Sequence, residues 1–248
     1  MNRRIIKIAI FLAVLLFGCA KEKEQIVVPA VGASRMSAEQ RSQAIHALQA
    51  EFPKLKPNAA AAIESISRAF FVTQAARHRA YEDKALPIGS EQSTLKLSDI
   101  AWLLAEIDIQ PHAQVLEIGT GTGYFAAVMS RLASKVYSVE IIEYLSEVSR
   151  STLARFQIEN VKIRNSDGLK GWPIYAPYDV IIVTAAVREL PQALIEQLKP
   201  TGIIAAPIRS EGLCQWIIYQ NNNGTLEELS KRVSNVPDII ESATPPLE

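Results

Sequence analysis

The stretch Val115–Val128, VLEIGTGTGYFAAV, constrains this chain more than any other part of it. A short β-rich run, Val115–Ile118, meets three glycines at alternate positions, Gly119, Gly121 and Gly123, and then a helix-forming sequence. Glycines there let the backbone turn sharply and approach a ligand that a Cβ atom would block. Seventeen residues after Gly123 the next β-rich run, KVYSVE, ends in Glu140. An acidic residue in that place can accept hydrogen bonds from both ribose hydroxyls. Together these features predict a nucleoside-containing cofactor at the carboxyl end of the first strand of a parallel sheet.

The spacing narrows the choice of cofactor. A dinucleotide site reads G-x-G-x-x-G, with a pyrophosphate on the helix N-terminus. Here the spacing is G-x-G-x-G, preceded by Glu117. A carboxylate beside the loop repels a pyrophosphate and suits a cofactor with a cationic amino group and no phosphate, which describes S-adenosylmethionine. The plainer alternative is a tight strand-to-helix turn without a ligand. A nicotinamide-dependent oxidoreductase is disfavoured by the glycine spacing and by Glu117.

Further blocks follow in order: AYEDKALPIGSEQSTLKLSDIA (Ala80–Ala101), NSDGLKGWP (Asn165–Pro173), APYDVIIVTAA (Ala176–Ala186) and LPQALIEQLKPTG (Leu190–Gly202). With VLEIGTGTGY and VYSVE they closely resemble the protein-L-isoaspartate (D-aspartate) O-methyltransferase family, from Ser67 to Pro237. The resemblance implies a class I S-adenosylmethionine-dependent methyltransferase, an α/β fold with a Rossmann-like, doubly wound, mostly parallel sheet. It implies methyl transfer from S-adenosyl-L-methionine to the free carboxylate of L-isoaspartyl or D-aspartyl residues in damaged proteins or peptides, a repair reaction. The cofactor would be held by Glu117, the loop glycines Gly119, Gly121 and Gly123, Glu140 at the ribose, and Asp167 and Gly168 at the adenine. The substrate would meet Ile88, Gly89 and Gln92 in the loop over the site and Thr184, Ala185 and Ala186 at a strand end.

Methyl transfer from a sulfonium is an in-line displacement, and a carboxylate is already the nucleophile at neutral pH. Such a site must position the reactants and exclude water. A site of loops and hydroxyls is therefore expected, and no Ser-His-Asp triad or carboxylate pair stands out.

Two departures from the family bear on activity. The family reads Gly-Gln-Thr-Ile-Ser after the LPIG loop, with the serine assisting catalysis; this chain reads Glu91-Gln92-Ser93-Thr94-Leu95, followed by Leu97 in place of a proline. Ser93, with Thr94 if it turns inward, is the candidate replacement for the hydroxyl lost at Leu95. Near the C-terminus the family has Val-Arg-Phe-Val-Pro-Leu, where this chain has Val233-Ser234-Asn235-Val236-Pro237-Asp238, with Arg232 one position before. That change touches substrate choice more than cofactor binding. A catalytically impaired S-adenosylmethionine-binding module on the membrane, or a methyltransferase for another acceptor, is the alternative reading.

The ends of the chain add location. Arg3, Arg4 and Lys7 precede the apolar run Ile8–Phe17 and then Gly18-Cys19. This is the pattern of an export signal, too short for a spanning helix of about 20 residues. Leu16–Cys19 resembles a bacterial lipobox, which implies cleavage before Cys19 and a lipid on it. Residues 1–18 then form a signal peptide, 19–37 a polar tether, 38–79 a helical extension, 80–237 the methyltransferase domain and 238–248 a loose tail. The expected location is the periplasmic or cell-surface side of a membrane, or the cytoplasm if the signal is not used. An exported chain would meet little S-adenosylmethionine, a tension resolved if the signal is not used, if the cofactor arrives by another route, or if the domain is a binding module that has lost catalysis.

The 26 basic and 26 acidic residues balance, so nothing points to nucleic acid. Cys19 and Cys214 are the only cysteines. With Cys19 acylated no internal disulfide forms, no metal cluster is proposed, and Cys214 reads as a small buried hydrophobe. A monomer is expected.

Helices are expected at Ser37–Phe52, capped by Ser37, from Asn58 to about His78, and at Leu97–Ile107, Tyr124–Ala133, Ile142–Phe156 and Pro191–Leu198. Strands are expected at Val115–Ile118, Val136–Val139, Val161–Arg164, Asp179–Thr184, Ile203–Pro207, Trp216–Tyr219 and Lys231–Val236, with a turn at Asn221–Gly224. His46 and His78 read as surface residues.

Overall fold

The computed structural model describes residues 35–240. The expected signal peptide, Cys19 and most of the tether lie outside the described residues. Among those described, no helix is long and apolar enough to cross a membrane.

The core begins with strand β3. Val115, Leu116, Glu117 and Ile118 are all buried, because helices or loops cover both faces of a central parallel strand. β3 (Gln114–Ile118) pairs in parallel with β4 (Lys135–Glu140) on one side and β6 (Tyr178–Val183) on the other. β5 (Val161–Asn165) extends the sheet beyond β4, and β7 (Leu198–Ser210) extends it beyond β6. The chain therefore leaves β3 in one direction and returns on its other side. In doubly wound sheets that switch point opens a crevice outside the carboxyl ends of the strands. β8 (Leu213–Asn222) and β9 (Thr225–Val233) complete the seven-stranded order β5-β4-β3-β6-β7-β8-β9 as antiparallel additions.

Helices α1 (Arg35–Glu51), α2 (Pro57–Ser65), α3 (Leu97–Glu106) and α4 (Tyr124–Met129) share one apolar cluster with β3 and β6. Ile45, Leu48, Ile63, Leu103 and Val128 are among its buried members. The N-terminal extension is thus packed into the core of the sheet. α5 (Glu143–Arg155) follows β4, and α6 (Gln192–Ile195) precedes β7.

Several expected elements are corrected. The helix from Asn58 to His78 stops at Ser65, where Ile66 turns extended, and gives way to 3₁₀ turns at Arg68–Phe70 and Gln74–Arg79. The physical reason is Arg68, a fully buried guanidinium. It donates to the carbonyls of Ala80, Glu82, Lys84 and Leu95 and to Thr94 Oγ1, at 2.6–3.2 Å. A continuous helix would carry Arg68 away from these acceptors. The loop Ala85–Thr94 contains a hairpin, β1 (Pro87–Gly89) and β2 (Gln92–Ser93), turned by Ser90 and Glu91 at positive φ of 52° and 59°.

α1 starts two residues before the expected cap Ser37, and α4 ends at Met129, short of Ala133. The helix Pro191–Leu198 shrinks to α6 because Leu198 already pairs with Tyr178 in the sheet. The last strand is Thr225–Val233, earlier than Lys231–Val236. Asn223 and Gly224 turn the chain into it, as expected, with φ of 54° and 98°. Cys214 is buried as expected.

Arg68→Met removes a buried guanidinium that holds five loop acceptors, one of them in a fully buried bond, and is expected to lower the unfolding free energy by about 3 kcal/mol or more in urea. A variant within about 0.5 kcal/mol of the parent, the range of ordinary surface changes, would contradict this role.

Candidate active site

The turn after β3 lies where the switch point predicts the crevice. Gly119 has φ 96° and abuts Thr184, so a Cβ there would collide with the threonine hydroxyl. Thr184 Oγ1 shares its proton between the carbonyls of Ile118 and Gly119, at 2.9 and 2.7 Å. Gly121, at φ 54°, faces hairpin β1–β2, and a Cβ would lie 3.0 Å from Ile88 Cδ1. The turn is therefore clamped between the end of β6 and the hairpin.

A cleft in two halves opens over this turn, with volumes of about 600 and 630 Å³. Ile88, Ser93, Gly119, Gly121, Thr184 and Pro237 border both halves, which makes the cleft continuous.

In the first half, Glu117 is buried. Ser138 Oγ donates to Glu117 Oε2 at 2.5 Å and lies 2.5 Å from Thr120 Oγ1. Glu117 Oε1 is buried with no hydrogen-bond partner. Burial pushes this carboxyl up to about 8; the Ser138 hydrogen bond opposes the rise and the Glu140 charge adds to it. At neutral pH it is largely a neutral acid with one orphaned oxygen, and a cationic group placed beside it would draw out the proton. The chemistry fits the ammonium end of an amino-acid cofactor.

In the second half, Glu140 accepts the Gly121 N–H at 2.7 Å and the Ile142 N–H at 2.9 Å. Burial raises its carboxyl, and these backbone donors oppose the rise. Each oxygen keeps a second lone pair for a ribose hydroxyl. Gly168, Ala185 and Gln92 border this half. The strap Val236–Ile240 closes over both halves. The Ala186 N–H donates to the Pro237 carbonyl at 2.7 Å, and the Ile239 N–H donates to the Ala186 carbonyl at 2.8 Å. Arg209 pairs with Asp238 and donates to the Val236 carbonyl at 2.8 Å.

Other expected site residues stand one step back. Gly123 is the N-cap of α4, and neither it nor Gly89 borders the cleft. Asp167 accepts the Leu169 N–H at 3.0 Å and caps a 3₁₀ turn outside both halves. Ala186 anchors the strap without lining either half. Thr94 borders the cleft, but its hydroxyl accepts from Arg68 at 2.6 Å and from the Leu86 N–H at 3.2 Å. Those contacts hold the Thr94 hydroxyl at Arg68 and Leu86, and Ser93 borders both halves. Leu95 packs against the core cluster. Arg232 donates to the Ser98 carbonyl and lies over Phe52, away from the strap.

Lys96, Asp99 and Tyr124, which had no assigned role, also border the first half, and Asn235 borders it from the segment expected to bear on substrate choice. The signal for two of them was a charged pair at the start of the otherwise apolar helix α3. His46, His78 and His112 are exposed and outside the cleft. Among the described residues, no group of acids, histidines and cysteines could hold a metal.

The chain was compared with known proteins. The family described as protein-L-isoaspartate(D-aspartate) O-methyltransferase matches residues 39–238. A protein-L-isoaspartate O-methyltransferase of Halorhodospira halophila is 41% identical over 177 residues, 71% of this chain and 79% of the relative. One from Gloeobacter violaceus is 37% identical over 179 residues, 71% of this chain and 87% of the relative. A solved protein-L-isoaspartate O-methyltransferase superposes with a TM-score of 0.74 at 29% identity, over 80% of this chain and 65% of that one. A putative enzyme of the same name from Plasmodium falciparum, solved with S-adenosyl-L-homocysteine, shares the fold. Its TM-score is 0.70 at 17% identity, over 82% of this chain and 99% of that one.

Glu117 binds a proton in the folded chain that it gives up when unfolded, so its contribution to stability is complete below the ordinary pKa of 4.5 and is lost as pH rises toward about 8. Glu117→Gln, which keeps an acceptor for Ser138, is expected to flatten the decline in unfolding free energy across that window. Identical pH profiles for parent and variant would show that Glu117 is ionised in the fold.

Proposed function

This chain belongs to the protein-L-isoaspartate(D-aspartate) O-methyltransferase family, and we propose that its cleft carries out that family's reaction on isoaspartyl proteins and peptides. The observation that carries the reading is the orphaned Glu117 oxygen in the first half of the cleft, continuous with Glu140 in the second. An ammonium at one end and a ribose at the other describe S-adenosyl-L-methionine, the methyl donor.

When bound, the donor supplies an electrophilic methyl carbon: an acceptor carboxylate oxygen takes that carbon, the bonding pair stays on sulfur, and the products are a methyl ester and S-adenosyl-L-homocysteine. The chain's own residues position and shield. Glu117 and Glu140 fix the two ends of the donor, and the turn from Gly119 to Gly121 brings backbone close to its middle. Ser93, at the junction of the two halves, donates its hydroxyl to the acceptor carboxylate. The hairpin and the strap keep water from the reacting atoms. No general base is needed, because the acceptor carboxylate is already the nucleophile at neutral pH.

The location is a further part of the proposal. Arg3, Arg4 and Lys7 before the apolar run Ile8–Phe17, and Cys19 after Gly18, support export, cleavage after residue 18 and a lipid on Cys19. The catalytic fold then stands at a membrane surface on the short tether 19–37. The lipid predicts partition of the expressed chain into detergent and an acyl mass increment; both vanish in Cys19→Ala. An aqueous chain with its N-terminal residues intact would place the enzyme in the cytoplasm.

The activity is tested by base-labile methyl incorporation into an isoaspartyl peptide, with the normal aspartyl peptide as control. Selective methylation is expected, and a folded chain that methylates neither would return the weight to a binding module. Ser93→Ala is expected to lower kcat/KM about tenfold, the effect of one hydrogen bond to a charged group, without changing S-adenosyl-L-homocysteine affinity. Unchanged turnover would remove Ser93 from the mechanism.

A further inference from the structure

The charges around the cleft are uneven. The acids Asp99, Glu117, Glu140 and Asp238 border its two halves, and among the described residues bordering them Lys96 is the one cation. Lys96 is the N-cap of α3, directly after Leu95 and three residues before Asp99. Among the described residues its ammonium makes no contact ion pair or hydrogen bond. The basic residues nearest the cleft are committed elsewhere. Arg68 is spent on the hairpin loop, Arg209 on the strap, and Arg232 on the Ser98 carbonyl and Glu51.

An anionic acceptor entering past Glu140 and Asp238 is favoured by a cation that meets it on the cleft wall. Asp99 is buried, and desolvation raises its carboxyl. Leu95, which replaces the family's serine, offers no hydrogen bond. Lys96 is the next residue, on the same wall of the first half.

We propose that Lys96 is a substrate-binding residue whose ammonium holds the acceptor carboxylate at the cleft wall where Leu95 provides no hydroxyl. The inference rests on the isoaspartyl reading above and names what this chain uses to hold that acceptor. It has a distinctive kinetic consequence. The acceptor carboxylate loses negative charge as its oxygen takes the methyl carbon. A cation beside it therefore stabilises the bound ground state at least as well as the transition state. Such an interaction sets KM and does not raise kcat.

The test uses the full chain and an isoaspartyl peptide. Lys96→Met is expected to raise KM about tenfold, the scale of a lost charge-assisted contact, with kcat equal to or above the parent's. Lys96→Arg should restore KM to within about threefold, since it keeps the charge but not the geometry. Raising the salt concentration should raise the parent's KM more steeply than that of Lys96→Met. Fluorescence anisotropy of a labelled peptide on the chain saturated with S-adenosyl-L-homocysteine should show the same loss without turnover. A parent that methylates the peptide, with a Lys96→Met variant of unchanged KM or of lowered kcat at constant KM, overturns this inference alone. A parent that methylates no isoaspartyl peptide overturns it together with the reading beneath it.

Discussion

The turn between β3 and α4 has to pass through a gap set by its neighbours, and the rest of the site depends on that constraint. Thr184 at the end of β6 presses its hydroxyl onto the carbonyls of Ile118 and Gly119. Glu140 at the end of β4 takes the Gly121 N–H. A side chain at position 119 would collide with Thr184. The turn therefore folds back over the strand ends and leaves a concavity where the backbone itself is the wall. Two carboxyl groups border it in unlike settings: Glu140 sits among backbone donors, and Glu117 is buried with one oxygen unmatched. That difference gives the two ends of the cleft their separate chemistry.

The substrate side is built by different means. The sheet does not extend to it, so short segments are pinned by side chains. Arg68 gathers carbonyls from Ala80 to Leu95 and so sets the hairpin that brings Ile88 and Ser93 to the cleft. Arg209 and the Ala186 backbone hold the strap. Arg68 is buried and its loss is costly. The Arg209–Asp238 pair is largely exposed, and pairs of that kind are worth about 1 kcal/mol or less. The wall over the cofactor is thus firm on the hairpin side and more easily displaced on the strap side. In this chain the ion pair of Arg209 with Asp238 anchors that end of the strap.

The parts of the fold that were legible in the sequence are those whose residues carry a strong local signal. Val115–Ile118 followed by three alternating glycines fixed the first strand and its turn. Glu140 at the end of KVYSVE was placed correctly, and Glu117 and Ser93 reach the cleft as expected. The failures share a cause. The path from Ile66 to Arg79 has apolar residues at helical spacing, but one buried arginine with distant acceptors decides it, and periodicity cannot register that. β9 is an exposed edge whose residues are mostly polar, so alternation marked only its end and placed the strand several residues late. The Ser90-Glu91 turn lacks the glycine or asparagine that marks such a hairpin. Asp99 falls in the first turn of the helix expected from Leu97, and Lys96 caps that helix; that the helix begins at the cleft wall is a matter of topology.

The Glu117 carboxyl and a cationic ligand meeting in one cleft can be tested without turnover. S-adenosyl-L-homocysteine carries the same amino group, and its titration into the chain at pH 7, by calorimetry in buffers of different ionisation enthalpy, counts the protons exchanged. Glu117 is protonated in the free cleft, with its carboxyl near 8, and becomes a carboxylate beside the ligand's ammonium. Release of close to one proton is expected, with none from Glu117→Gln. Binding that releases no proton from the parent chain, or as many from Glu117→Gln, would contradict this arrangement.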